Sequence, residues 1–115
     1  MSFERYAVVR VPFPFTDRDA AKNRPALVLS APAFNVPAGH SVLAMITSTG
    51  NAPWPLDYRL TDLAAAGLPA PSMVRFKLFT LDHRLIRSQL GRLAATDASN
   101  VDTALKRLLD IAQDG

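Results

Sequence analysis

Apolar and polar positions alternate along the start of the chain: Ala7, Val9, Val11, Phe13 and Phe15 are interleaved with Val8, Arg10, Pro12 and Pro14. A repeat of two predicts an extended strand with one buried face. Residues 25–31 are apolar on both faces except at Ser30, which predicts a second strand inside the sheet. Arg24 stands at the mouth of that strand, behind a polar loop. Residues 41–48 form a third strand, again apolar on both sides. Leu56, Tyr58 and Leu60 then alternate with Asp57, Arg59 and Thr61, a half-exposed strand. In residues 72–79 Val74, Phe76 and Leu78 face one way and Met73, Arg75 and Lys77 the other, so the second face is cationic.

The connections are marked by turn chemistry. Residues 31–39 contain Pro32, Pro37 and Gly39 and read as an irregular connection. Residues 48–55 form a polar, turn-rich loop that carries the only tryptophan, Trp54. Thr61, Asp62 and Leu63, followed by Ala64, Ala65 and Ala66, predict one helical turn stopped by Gly67 and Pro69. A short helical turn and a last strand through Gly91, Arg92 and Leu93 follow. Val101, Ala104, Leu105, Leu108 and Ile111 have the three-four spacing of an amphipathic helix, with Thr96 or Asp97 as its N-cap. Five or more short strands and a final helix predict a mainly β fold with some α, a small antiparallel barrel.

Composition narrows the chemistry. At 115 residues the chain suits one domain, residues 1–115, that buries a core without metal or disulfide. The absence of cysteine excludes a disulfide framework, a thiolate nucleophile and a zinc–thiolate site. No apolar run approaches the roughly 20 residues of a membrane span, and MSFERYA lacks the apolar core of a signal peptide. A cytoplasmic protein without membrane contact is expected. Net charge is +3 but unevenly spread: residues 59–92 hold six basic and two acidic side chains, a local +4. Ten of the thirteen basic residues are arginine, the side chain that grips phosphate with a fork. A mixed solvated surface and a polyanion-binding surface, such as one for RNA, are both open on charge alone.

Strand pairing suggests where chemistry would sit. If residues 24–31 and 41–48 are neighbours, setting Ser30 opposite Ser41 sets Arg24 opposite Thr47. Directly opposed side chains have Cβ atoms about 4.5–5.5 Å apart. A guanidinium and a hydroxyl would then converge, flanked by Ser48 and Thr49, on a spot suited to a phosphate. Each residue also has a plainer reading. Arg24 can pair with Asp17 or Asp19 across the first loop, and Thr47 can be an ordinary strand former. Ser72 is either a third member of the site or a turn-capping serine. Arg75 and Lys77 are RNA-backbone contacts or a solvated face. Trp54 stacks on a base or covers the edge of the core. Phe13 and Phe15 belong to the core or a dimer contact. His40 and His83 are loop or surface histidines, which leaves the general base unassigned.

The same residues carry a family resemblance. VPFPFTD, NRPALVLS, the Ile-Thr-Ser strand end, GLPAPSMVRF, and TLDHRLI with GRL resemble the MazF/PemK toxins of type II toxin–antitoxin systems, in order and over nearly the whole chain. The resemblance implies an SH3-like barrel, a homodimer, and cleavage of single-stranded RNA at short sequences with neither metal nor cofactor. It matches the family's paired arginine and threonine to Arg24 and Thr47, with Ser48 and Ser72 as accessory positions. Lys22, Asn23, Thr49, Arg75 and Lys77 are then candidate RNA contacts. It also implies an acidic, partly disordered antitoxin as partner. One departure concerns the entry turn, where Glu4-Arg5-Tyr6 replaces the Gly-Asp pair common in the family. The alternative is a non-catalytic barrel acting by binding, either to RNA or as the gyrase-poisoning CcdB toxin does.

Overall fold

The computed structural model describes residues 3–13 and 22–112. Among these residues six strands form one antiparallel sheet in the order β4-β5-β3-β2-β1-β6. They are β1 (Ala7–Phe13), β2 (Lys22–Val28), β3 (His40–Ser48), β4 (Tyr58–Arg59), β5 (Ser72–Asp82) and β6 (Ser88–Arg92). Among the described residues three helices complete it: α1 (Pro32–Ala38), α2 (Leu63–Ala66) and α3 (Ala95–Leu109), with a 3₁₀ turn at His83–Leu85. The sheet curls into a half-barrel, the mainly β architecture with a C-terminal helix that the periodicity predicts. Beside its edges, α2 packs on β6 through two glycines. A Cβ on Gly91 would lie 2.4 Å from the Ala65 carbonyl oxygen, and one on Gly67 2.0 Å from that of Leu90. Gly67 also has φ +71°, a conformation glycine adopts without steric cost.

Both faces of the sheet are buried, which corrects the one-sided reading of β1. Val8 joins Leu27, Ala44, Ile46, Val74 and Phe76 in a core that includes Val101 of α3. Ala7, Val9 and Val11 join Phe3, Ala26, Val28, Leu43 and Leu81 in a second core. Phe13, expected in the core or at a dimer contact, is 45% exposed and so lies outside the core, and Phe15 lies outside the described residues. On β5, Val74 and Phe76 turn inward as expected, but Leu78 is 41% exposed. A bulge intervenes there: Met45 pairs with Arg75, yet Ala44 pairs with Leu78, leaving Phe76 and Lys77 without opposite numbers.

Two helices differ from their sequence signals. The stretch read as an irregular connection is α1: Pro32 opens it, where no amide proton is needed, and Gly39 ends it at φ 62°. Buried Asn35 anchors it by donating to the carbonyls of Phe3 and Ser30, both at 2.9 Å. In α3 the N-cap is Ala94, not Thr96 or Asp97. Asp97 is fully buried and accepts from the Tyr58 hydroxyl (2.6 Å), the Thr61 hydroxyl (2.8 Å) and the amides of Thr61 (3.1 Å) and Asp62 (3.0 Å). Burial pushes its pKa up, but these donors outweigh burial and hold it below the ordinary carboxylate value. The carboxylate thus ties α3 to the β4–α2 connection. Of the predicted apolar stripe, Val101 is buried, whereas Leu108 and Ile111 are 40% and 54% exposed.

Candidate functional site

The β2–β3 ladder pairs Ala26 with Met45, Leu27 with Ala44 and Val28 with Leu43. Carried two residues further, the same register sets Arg24 opposite Thr47, as the serine-to-serine alignment predicts. Strand β2 starts earlier than expected, so Arg24 lies within the strand and faces Val11 of β1 in the ladder. Its guanidinium carbon is 5.8 Å from the centre of the Phe13 ring. Arg24 and Thr47 line two adjoining cavities. One, of about 250 Å³, includes Phe13, Met45, Arg75 and Lys77; the other, of about 290 Å³, includes Ser48, Asn51, Pro71 and Ser72. Among the described residues no carboxylate lies within ion-pair distance of Arg24. Asp17 and Asp19, its alternative partners, fall outside them.

The Thr47 hydroxyl is oriented by a residue that strand patterning does not single out. Asn51 donates from Nδ2 to Thr47 Oγ1 at 2.6 Å and to the Ser48 carbonyl at 3.3 Å. Because that contact uses an acceptor position of Thr47, its own O–H can still donate into the cleft. The only signal for Asn51 in the sequence is its place in the turn-rich stretch four residues after Thr47. Ser48 Oγ accepts from the Gly50 amide at 3.3 Å, and Ser72 Oγ donates to the Ala70 carbonyl at 2.8 Å. Both accessory serines therefore cap turns while lining the cleft. Thr49 is tied to the neighbouring loop through its amide and the Pro71 carbonyl, at 3.4 Å.

The cationic face of β5 splits in two. Arg75, expected from sequence either as an RNA-backbone contact or on a solvated face, forks onto Asp57 at 3.2 and 3.0 Å and donates to the Ala52 carbonyl at 2.6 Å. Hydrogen bonds to Asp57 raise its already high pKa. It is committed to holding residues 52–57, and its charge is neutralised there. Lys77 is exposed, with Nζ 4.5 Å from the centre of the Trp54 ring. Trp54 itself is 42% exposed and does not cover the core. Lys22 and Asn23 are exposed at the start of β2.

The histidines lie elsewhere. His40 opens β3 and Thr47 lies seven residues on, so about 23 Å of strand separates them. His83 Nε2 is 2.7 Å from the buried Ser41 Oγ. Both rings line a separate cavity of about 480 Å³ with Asp82 and Arg84. Arg84 holds the Asp82 carboxyl well below the usual carboxylate range through side-chain and backbone hydrogen bonds. Among the described residues no group of three or more His, Cys, Asp or Glu is placed to hold a metal ion. None of the described helices is long and apolar enough to cross a membrane.

The family model for the PemK-like, MazF-like toxin of type II toxin–antitoxin systems matches residues 4–109. The chain belongs to this family. Solved structures agree with the assignment. MazF in a MazE–MazF crystal (Form-III) from Deinococcus radiodurans is 25% identical with a TM-score of 0.76, over 97% of this chain and 100% of that one. An endoribonuclease in complex with its cognate antitoxin from Mycobacterial species has the same fold, with a TM-score of 0.76 at 17% identity, over 98% of each chain. The Mycobacterium tuberculosis toxin MazF-mt6 gives 0.73 at 20% identity, over 93% of this chain and 99% of that one. No curated protein matches the chain. In this MazF-like chain the arginine and threonine picked out by the resemblance share one cleft beside an exposed tryptophan.

Proposed function

We propose that this MazF-like chain is an endoribonuclease that cuts single-stranded RNA without a metal ion or cofactor. The observation that carries the reading is the placing of Arg24 and Thr47 in one open cleft by the β2–β3 register. A scissile phosphate between them meets a permanent cation and an oriented hydroxyl donor. The ribose 2′-oxygen attacks the adjacent phosphorus and the bond to the 5′-oxygen breaks. One proton leaves the first oxygen and one reaches the second, giving a 2′,3′-cyclic phosphate and a 5′-hydroxyl. Arg24 stabilises the charge that builds on the non-bridging oxygens, and Thr47 donates to one of them. A guanidinium keeps its proton throughout the working pH range, so it serves as a fixed charge and not as a proton carrier.

The partners follow from the same reading. An acidic, partly disordered antitoxin would fold onto the cationic cleft and occupy the RNA site; a solved relative is described as bound to its cognate antitoxin. A cytoplasmic homodimer is the working form. Phe34 and Val36 of α1, and Leu108, Leu109 and Ile111 at the end of α3, are exposed apolar side chains that pairing would cover. The test is to incubate the purified chain with single-stranded RNA in EDTA and analyse the product ends. Cyclic-phosphate and 5′-hydroxyl ends are expected. RNA that binds in a salt-sensitive way but stays intact would favour a binding-only toxin instead.

A further inference from the structure

We infer that Trp54 is a stacking platform for a base of the bound single strand, and that Lys77 leaves the indole ring for the adjoining phosphate when that base arrives. The inference rests on the ribonuclease reading and adds to it a residue that grips the strand beside the Arg24/Thr47 centre.

The geometry begins with a loop held rigidly around an outward-facing ring. The Trp54 amide donates to Asp57 Oδ2 at 2.9 Å, and the Asp57 amide donates back to the Trp54 carbonyl at 3.1 Å. Asp57 is in turn gripped by the Arg75 fork, and Arg75 also binds the Ala52 carbonyl. Pro53 and Pro55 flank the tryptophan and narrow its backbone freedom. The backbone that carries the ring is therefore held before any ligand is present, which lowers the entropy lost on binding. Arg75 is the positioning residue of this arrangement.

Chemistry identifies the ligand. Lys77 caps the ring at 4.5 Å and also lines the cavity that contains Arg24 and Thr47. An aromatic face beside a cation that reaches a phosphate site matches the base-then-phosphate alternation of a single strand. No described carboxylate lines that cavity, and Asp57, the acid closest in the loop, is neutralised by Arg75. A cation over an exposed ring contributes only about 2- to 5-fold to an equilibrium. A stacked base contributes about 5- to 150-fold. The exchange of lysine for base is thus favourable, and it frees the ammonium for the backbone.

Trp54 is the sole tryptophan, so its emission reports the site without labelling. A dye-labelled, mixed-sequence single-stranded DNA lacks the attacking 2′-hydroxyl and serves as an uncut probe. Its binding is read by anisotropy while Trp54 emission is recorded. Quenching in step with binding is expected. Trp54→Ala, checked for folding by circular dichroism, should weaken binding by about 5- to 150-fold. Lys77→Ala should reduce the slope of log K against log salt by about 0.7. Binding with unchanged emission, or a Trp54→Ala protein that binds as tightly as wild type, overturns the inference while RNA cleavage by wild type keeps the nuclease reading. A wild-type protein that neither binds the probe nor cuts RNA overturns both.

Discussion

Replacing Arg24 by alanine is expected to lower RNA cleavage by about 10²–10³-fold, the scale of losing one donor aimed at developing charge. The fold should survive, because the side chain is exposed at the end of β2 and belongs to neither core. Thermal melting should therefore change little. Arg24→Lys should recover only part of the activity, since an ammonium keeps the charge but loses the planar fork. An Arg24→Ala protein that cuts as fast as wild type would remove Arg24 from the reaction. The Phe13 ring under the guanidinium predicts a further feature of the loss. Phe13 supports the position of Arg24 but carries no charge, so it cannot replace it.

The largest effect on stability is expected at Asp97. Asp97→Ala strips the Tyr58 hydroxyl and the Thr61 and Asp62 amides of their shared acceptor. These donors sit on half-buried Tyr58 and on exposed Thr61 and Asp62, so each loss falls at the low end of about 1–3 kcal/mol and a total near 3 kcal/mol is expected. For a domain of this size that is a fall in Tm of at least about 10 °C. The pH dependence has a definite sign. The folded-state pKa of Asp97 lies below its unfolded value, so its contribution is complete above the unfolded pKa, near 4, and is lost as pH falls through the folded one. Asp102 acts in the same direction: burial raises it, but Lys106, Tyr6 and Arg5 hold it lower. Asp97→Asn should accordingly flatten the acid limb of the stability curve. A Tm for Asp97→Ala equal to that of wild type would show that the hydrogen bonds to Asp97 do not hold α3 in place.

Different parts of this molecule were legible to different degrees, for physical reasons. The β2–β3 register could be read because Ser30 and Ser41 interrupt two apolar runs at matching ends, so setting them opposite each other lays the two runs side by side over their full length. Asp62 and Gly67 bracket α2 with an acceptor and a left-handed stop, so that short helix was also visible. Helix α1 was hidden because prolines usually mark irregular chain, whereas Pro32 falls where a helix tolerates it. Periodicity placed Arg75 on the outer face of β5 but carried no information about Asp57, eighteen residues away in sequence. The same limit concealed the network on Asp97, whose partners come from β4 and the turn after it. Side-chain pairing between distant segments is set by the tertiary fold, and it decides which charged residues remain available to a ligand.

Whether Arg24 and Thr47 meet the same phosphate is measured most directly by a double-mutant cycle on RNA cleavage, with Arg24→Ala, Thr47→Ala and the double variant compared at one salt concentration. Groups that stabilise one transition state together lose activity non-additively. The double variant is expected to be only slightly slower than Arg24→Ala alone, with a coupling of at least about 1 kcal/mol. Fully additive losses, or a Thr47→Ala protein with wild-type activity, would contradict a shared site.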